Sequence, residues 1–385
     1  MDILIVLIFV LLVTSFLKIS LERNFNFSIG NFIWTLFIAH TIFSLAYLLY
    51  ALSSRSDSFQ YYNVADSSNW VDLFKTGTSF ISFVALPFVK YLNLSYYATM
   101  FLFSYFGFLA VLLFYVTAKE NVPLPPFWRG LSYIEIIFLL PNLHFWSGSI
   151  GKGSIILLGL GMFIYGLSRF NRRIFWLITG GFIVYMVRPH ILFTLIISVL
   201  VSVVITTKGL RWYFRWTMIA AGALMFYLIS DSVLQFTNSE SLDVMSSSNI
   251  IDRAAKLSTA SSGIDINNYN IFFKMFTFWF RPLFFDGLGL LGLIVSFENA
   301  LYLFMAWVVI RQLFLKWSHW NAWFRICLIG FLLGSFILAQ VSGNLGIAMR
   351  QKSQMMPFFF IIFFKAIYFR DMPQTGLSNF KLKRA

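Results

Sequence analysis

Asp57 stands in SSRSDSFQYYNVADSSNW, followed at once by Gln60, Tyr61 and Tyr62. A carboxylate beside an amide and two phenol rings suits a general base that takes a proton from a sugar hydroxyl, with the rings packing on sugar faces. Asp66 and Asp72 follow in the same stretch and compete for that role, and capping of a helix is the plainer alternative for Asp57. The spacing of the three aspartates matches no known cation cage. No cofactor is required by this reading, and a divalent metal stays open.

A second set of residues is cationic. Lys152 in SGSIGKGS, Arg188 and His190 in MVRPHIL, Arg281 in FWFRPLFFDG, and Arg350 and Lys352 in NLGIAMRQKSQMMP each sit where an apolar run gives way to a turn. Gln354 belongs to the last of these segments. Arginine grips phosphate oxygens in pairs and lysine acts as a point charge, so a pyrophosphate is the anion such a set would share. Taken singly, each long side chain would instead reach for lipid headgroups. Glu298 in VSFENALYL and Glu135 fall inside apolar runs, where a carboxylate is a functional candidate and calls for a cation. Arg281 or Arg350 would serve Glu298. His40 and His144 read as hydrogen-bonded structural histidines, and no nucleophile elbow, P-loop or dinucleotide fingerprint occurs.

The elements that must position these groups are membrane helices. Of 385 residues, 59% are hydrophobic and 11% charged, with 48 Phe and a mean hydropathy of +0.78. A soluble globule of this size cannot bury so much apolar surface, since an ordinary soluble domain is about 45–50% apolar and about 25% charged. Apolar runs lie at 2–19, 30–52, 94–117, 130–147, 153–168, 173–187, 190–206, 214–234, 287–310, 323–341 and 353–369. They predict an all-α polytopic integral membrane protein with about eleven transmembrane helices. Residues 1–17 read as a retained first helix, without the flanks of a cleaved signal. Residues 64–92, interrupted by Pro87 and Lys90, predict helices lying at the membrane surface. The polar stretch 235–286 predicts a lid over the site.

The net charge of +14 reflects topology rather than nucleic acid. With the N-terminus outside, 18 of the 29 Lys and Arg residues fall on the cytoplasmic side, as the positive-inside rule requires. The cationic set and Asp57 are then external, and the C-terminus is cytoplasmic. The single Cys327 rules out an internal disulfide or a cysteine metal site.

Taken in order, these segments resemble one family. An external Asp before Tyr, then Pro141 to Lys152, Val187 to His190, Phe280 to Phe285, Ser296 to Asn299 and Arg350 to Pro357 are similar to bacterial surface-polysaccharide proteins. These are the EpsG-like and Wzy-like polymerases and the C-type glycosyltransferases. The resemblance implies a single transmembrane domain with a C-type-like architecture in the bacterial inner membrane. It implies transfer of sugar from a polyprenyl-phosphate donor to a glycan acceptor at the outer face, alongside other polysaccharide-assembly proteins. Asp57 matches the activating acid of the first external loop, and Arg188, Arg281 and Arg350 match arginines around the lipid pyrophosphate. Gly153 and Asp286 depart from the pattern, where an acid after the Gly-Lys pair and a Glu one place before 286 are usual. A flippase of lipid-linked oligosaccharide, a membrane-bound acyltransferase using His40 or His144, and a structural polysaccharide-export subunit whose charged positions only pack are the rival expectations.

Overall fold

The computed structural model describes residues 1–25, 30–53, 56–207, 211–220, 222, 224, 269–286, 289–342 and 344–371. Among them every regular element is helical, and one isolated bridge pairs Trp128 with Leu131. In chain order the helices are α1 (Asp2–Asn24), α2 (Phe32–Ser53), α3 (Asp57–Ser67), α4 (Thr78–Leu86), α5 (Tyr96–Asn121), α6 (Tyr133–Ile137) and α7 (Pro141–Ser147). They continue as α8 (Lys152–Ser168), α9 (Phe170–Val187), α10 (Pro189–Thr206), α11 (Ile271–Phe280), α12 (Gly289–Lys316), α13 (Ala322–Val341) and α14 (Leu345–Asp371). Residues 212–220 are helical as well.

Six of these helices, α1, α2, α5, α10, α12 and α13, are long and apolar enough to cross a bilayer. A seventh crossing results if α7 and α8, bent by 112° at their junction, count as one broken span. The difference from the eleven expected runs has local causes. The run at 130–147 is not one helix, because Pro141 starts a fresh helix there and cannot continue the one before it. The run at 173–187 lies in α9, whose backbone breaks at Arg173 (φ −127°, ψ 26°). The run at 353–369 is the second half of α14, whose first half is polar. The run at 214–234 and the expected lid at 235–286 fall largely outside the described residues. Residues 64–92 form part of α3, a short turn at Val71–Leu73, α4 and a wide turn at Pro87–Tyr91, none of span length.

The helices begin where capping chemistry allows. Ser95 caps α5 by accepting from Ala98 N, Asn321 caps α13 by accepting from Phe324 N, and Pro189 opens α10. Large apolar side chains such as Leu12, Phe16, Leu49, Phe175, Phe304 and Phe314 cover the outer perimeter. Exposed apolar surface on that scale is the face a membrane protein turns to lipid. The interior helix is α14, buried along most of its length from Leu345 to Phe369.

Helix–helix approach in lipid relies on small residues, because apolar side chains gain nothing by leaving acyl chains for one another. A Cβ on Gly180 of α9 would stand 2.5 Å from Phe163 N and 2.6 Å from Gly159 O of α8. The two backbones therefore touch, and α9 runs back antiparallel to α8. On the other side, Asp2 Oδ2 accepts from Ser95 N at 2.8 Å, so α1 and α5 start together and run parallel. Asp57, Lys152 and Arg188 consequently share one end of the bundle. Lys119, Glu120, Arg169 and Arg173 share the other, across the roughly 39 Å that a helix as long as α5 spans.

Two outcomes follow from this packing. Gly180→Leu forces α8 and α9 apart and costs about 1–3 kcal/mol, read as a lowered midpoint of thermal unfolding in detergent. Cysteines introduced at Ser67 and Asn171 react with an impermeant thiol reagent from opposite sides of intact membrane vesicles. Labelling of both from one side would contradict the two-ended arrangement.

Candidate functional site

Ser56, not Asp57, caps α3: its hydroxyl accepts from Ser58 N at 3.3 Å. Asp57 is thereby released from the capping role that its position suggested. Its Oδ2 instead accepts from Arg350 Nη1 at 2.8 Å, across 293 residues of sequence. The Asp57 side chain is 56% exposed and that of Arg350 is 25% exposed, so the pair stands at the mouth of the bundle rather than inside it. Asp57, Gln60, Asn63, Ser53 and Ser56 wall an open cleft of about 750 Å³.

Tyr61, one turn further along α3, is buried beneath this pair. Burial raises the pKa of its phenol, while the guanidinium groups of Arg350 and Arg188 act in the opposite direction, and the phenol stays protonated at neutral pH. Arg188 occupies the turn between α9 and α10, fixed there because Pro189 opens the next helix. Gly77 N donates to Met186 O at 2.7 Å and Ser82 Oγ donates to Tyr61 O at 3.1 Å. These two bonds tie the segment around α4 both to the Arg188 turn and to α3.

Gly151 completes the group from the α7–α8 bend. A carbon placed on it would lie 3.7 Å from the Tyr61 ring and 3.8 Å from Arg350 Nη2. That bend can come so close because Gly153 packs against the Trp146 carbonyl, where a Cβ would meet the oxygen at 2.2 Å. Gly153, which departs from the expected acid, is thus required by packing. Lys152 and His190 are both buried at this end of the bundle, at the first turns of α8 and α10.

The remaining expected residues form a separate, deeper cluster. Lys352 is fully buried, and its Nζ donates to Asn299 Oδ1 at 2.6 Å and to Arg281 O at 3.1 Å. Asn299 Nδ2 in turn donates to Pro282 O at 2.7 Å. Glu298 does not pair with Arg281 or Arg350. It accepts from Asn142 N and Tyr302 OH, both at 2.8 Å, and the cation acting on it is Lys352. The Arg281 guanidinium is held by Asp286, which also accepts from Leu283 N at 2.7 Å. Burial alone would raise the pKa of Asp286, but Arg281 and the Leu283 amide outweigh it and keep the carboxylate ionised. Arg281 is therefore anchored locally rather than delivered to Asp57. Gln354 donates to Arg350 O at 3.4 Å, and Tyr62 OH is engaged by Leu94 O at 3.0 Å.

Other expectations resolve into structural pairs. Glu135 closes a capping box with Ser132 at the start of α6 and bonds Lys119 at 2.7 Å. His144 Nδ1 meets His40 Nδ1 at 2.9 Å, and its Nε2 meets Phe138 O at 2.7 Å. Tyr302 was not singled out from the sequence, although the i, i+4 spacing of Glu298 and Tyr302 was a usable signal. Gly151 belongs to the glycines of SGSIGKGS, whose weak likeness to a phosphate loop is the local signal for it. No group of three or more potential metal ligands occurs among the described residues.

Compared with protein-family models, curated proteins and solved structures, the chain has no match.

The two clusters respond oppositely to substitution. Asp57→Asn leaves thermal stability within about 1 kcal/mol, as expected for an exposed ion pair. Lys352→Met leaves Asn299 Oδ1 and the Arg281 carbonyl buried without their donor and lowers stability by about 1–3 kcal/mol. Thermal unfolding of the purified variants in one detergent measures both.

Proposed function

We propose that the protein is a membrane glycosyltransferase of polysaccharide-polymerase type, taking sugar from a polyprenyl-phosphate-linked donor and passing it to a glycan acceptor at the outer face of the membrane. The observation that carries this reading is the Asp57–Arg350 pair, whose carboxylate lines an open cleft of mixed polar and apolar wall, with Arg188 acting on the same Tyr61. The resemblance of Asp57, Val187 to His190 and Arg350 to Pro357 to surface-polysaccharide enzymes supports the same class.

In the chemistry proposed, the acceptor lies in the cleft among Gln60, Asn63 and Ser56 with one hydroxyl at Asp57. Asp57 takes the proton of that hydroxyl as its oxygen attacks the anomeric carbon of the donor. The bond from that carbon to the phosphate oxygen breaks, and the leaving phosphate keeps the electron pair. Arg350 and Arg188 neutralise the charge that develops on it, the kind of electrostatic help that is largest in such reactions. An incoming phosphate competes with Asp57 for the Arg350 guanidinium. Donor binding would thus free the carboxylate to act as a base, and the resting ion pair would hold it idle. Gly151 keeps the floor of the site open for the phosphate. The cleft and the cavity at the other end of the bundle share no lining residue, which favours one-sided transfer over transport.

Membranes bearing the protein, supplied with lipid-linked oligosaccharide, test this directly. Asp57→Asn keeps the shape of the side chain and loses the base, so polymer formation falls by about 10²–10⁴-fold. Arg350→Lys keeps the charge without the fork and retains partial activity, and Arg350→Ala loses most of it. Lipid-linked intermediates accumulate in the inactive variants. Normal polymer from Asp57→Asn at normal protein abundance would sink the assignment of the base.

A further inference from the structure

At the end of the bundle opposite Asp57, α1, α5, α8 and α9 enclose a cavity of about 740 Å³. Its wall is apolar, built from residues such as Val13, Leu17, Leu21, Leu109, Leu113 and Trp176. Its rim is charged: Lys119, Arg169, Arg172 and Arg173 against the single acid Glu120. Nothing in the reaction proposed above uses this cavity.

The rim is built rather than loosely solvated. Glu120 is nearly buried and receives Arg173 through both carboxylate oxygens, at 2.7 and 3.0 Å, and Arg169 at 2.7 Å. Arg173 also lies 3.9 Å from the centre of the Tyr165 ring and bonds Ser168 Oγ at 2.9 Å. It is only 12% exposed and cannot be a side chain merely reaching for headgroups. Lys119 is already engaged by Glu135. Two guanidinium groups on one carboxylate, with Arg172 exposed beside them, leave a surplus of about two positive charges over an apolar slot. That surplus matches a phosphate monoester, which carries about −1.5 to −2 at neutral pH.

We propose that this cavity is a binding site for a lipid bearing a phosphate headgroup, its chain along the α1–α5 wall and its phosphate on Arg172 and Arg169. Basic pockets between membrane helices hold acidic lipid headgroups in this way. The pre-set fork of Arg173 and Glu120 gives the site fixed geometry, and Arg172 adds a cation at the mouth. The proposal does not depend on the glycosyltransferase reading and concerns a different end of the molecule.

Native mass spectrometry of the full-length protein in neutral detergent tests it, with dioctanoyl phosphatidic acid as the probe and dioctanoyl phosphatidylcholine as the uncharged-on-balance control. Phosphatidic acid is expected to bind with an equivalent that Arg172→Gln weakens about tenfold or more, the loss expected for one charged hydrogen bond. Leu113→Trp, which fills the apolar slot without touching a charge, removes the same equivalent. Lys75→Gln, which removes an exposed cation at the other end, leaves it in place. Equal binding of the two lipids, or phosphatidic acid binding unchanged in Arg172→Gln, would overturn the proposal. Arg172 is exposed and its replacement leaves the Glu120 cluster intact, so a folding failure of Leu113→Trp does not remove the test.

Discussion

A helix enclosed along most of its length carries Arg350, Gln351, Lys352, Ser353 and Gln354 in succession, and the surrounding bundle has to answer each of them. Placing a charge away from water costs several kcal/mol unless a partner and hydrogen bonds replace the lost hydration. The partners come from every side of α14. Asp57 at the start of α3 takes Arg350, Ser342 just past α13 donates to Gln351 at 2.8 Å, and Asn299 of α12 takes Lys352. Ser342 and Asn299 thereby fix α13 and α12 in rotation about α14, whereas the Asp57–Arg350 pair lies at the exposed mouth and adds little to stability. One polar atom of the strip, Gln354 Oε1, has no partner among the described residues. The second half of α14 is the opposite case, with Phe358, Phe360 and Phe364 packed against Phe114, Tyr302 and Phe138. A polar half sets which faces meet, and an aromatic half supplies the contact area.

This division explains why neighbouring cations end in different places. Arg350 and Lys352 are two residues apart, so they leave α14 on different faces. One reaches the mouth and meets a carboxylate, and the other is enclosed against an amide and a carbonyl. Residue type and position relative to apolar runs made both look like phosphate ligands. Only the direction in which each leaves the helix separates them. Arg281 is a comparable case: its neighbour Asp286 lies five residues away and captures it, a pairing visible in FRPLFFD once the turn between them is known.

The lipid-facing character was legible from composition, and the helical class from continuous apolar runs of span length, which a barrel strand with its alternating pattern does not show. The runs matching α1, α2, α5, α10 and α13 were legible to within a few residues for the same reason. The bend between α7 and α8 was not. Pro141 marked a break, yet the sharp return depends on Gly153 and Gly107 meeting the backbone of α7, which no hydropathy window detects. Likewise the pairing of Asp57 with Arg350 joins residues 293 positions apart, while the capping by Ser56 that frees Asp57 lies in the adjacent residue. The Glu120 cluster escaped notice because its arginines also satisfied the positive-inside rule, and one signal hid the other.

In the reaction proposed, Arg350 is shared in turn by Asp57 and by an incoming phosphate. Binding of farnesyl diphosphate, a short soluble analogue of a polyprenyl carrier, tests it most directly when measured in an Arg172→Gln background. Adding Arg350→Ala is expected to weaken binding by about tenfold or more, the cost of a lost charged hydrogen bond. Adding Asp57→Asn instead is expected to strengthen binding, because it removes the carboxylate that competes for the guanidinium. Weaker binding after Asp57→Asn, or binding indifferent to Arg350→Ala, would show that Arg350 does not pass from Asp57 to the phosphate.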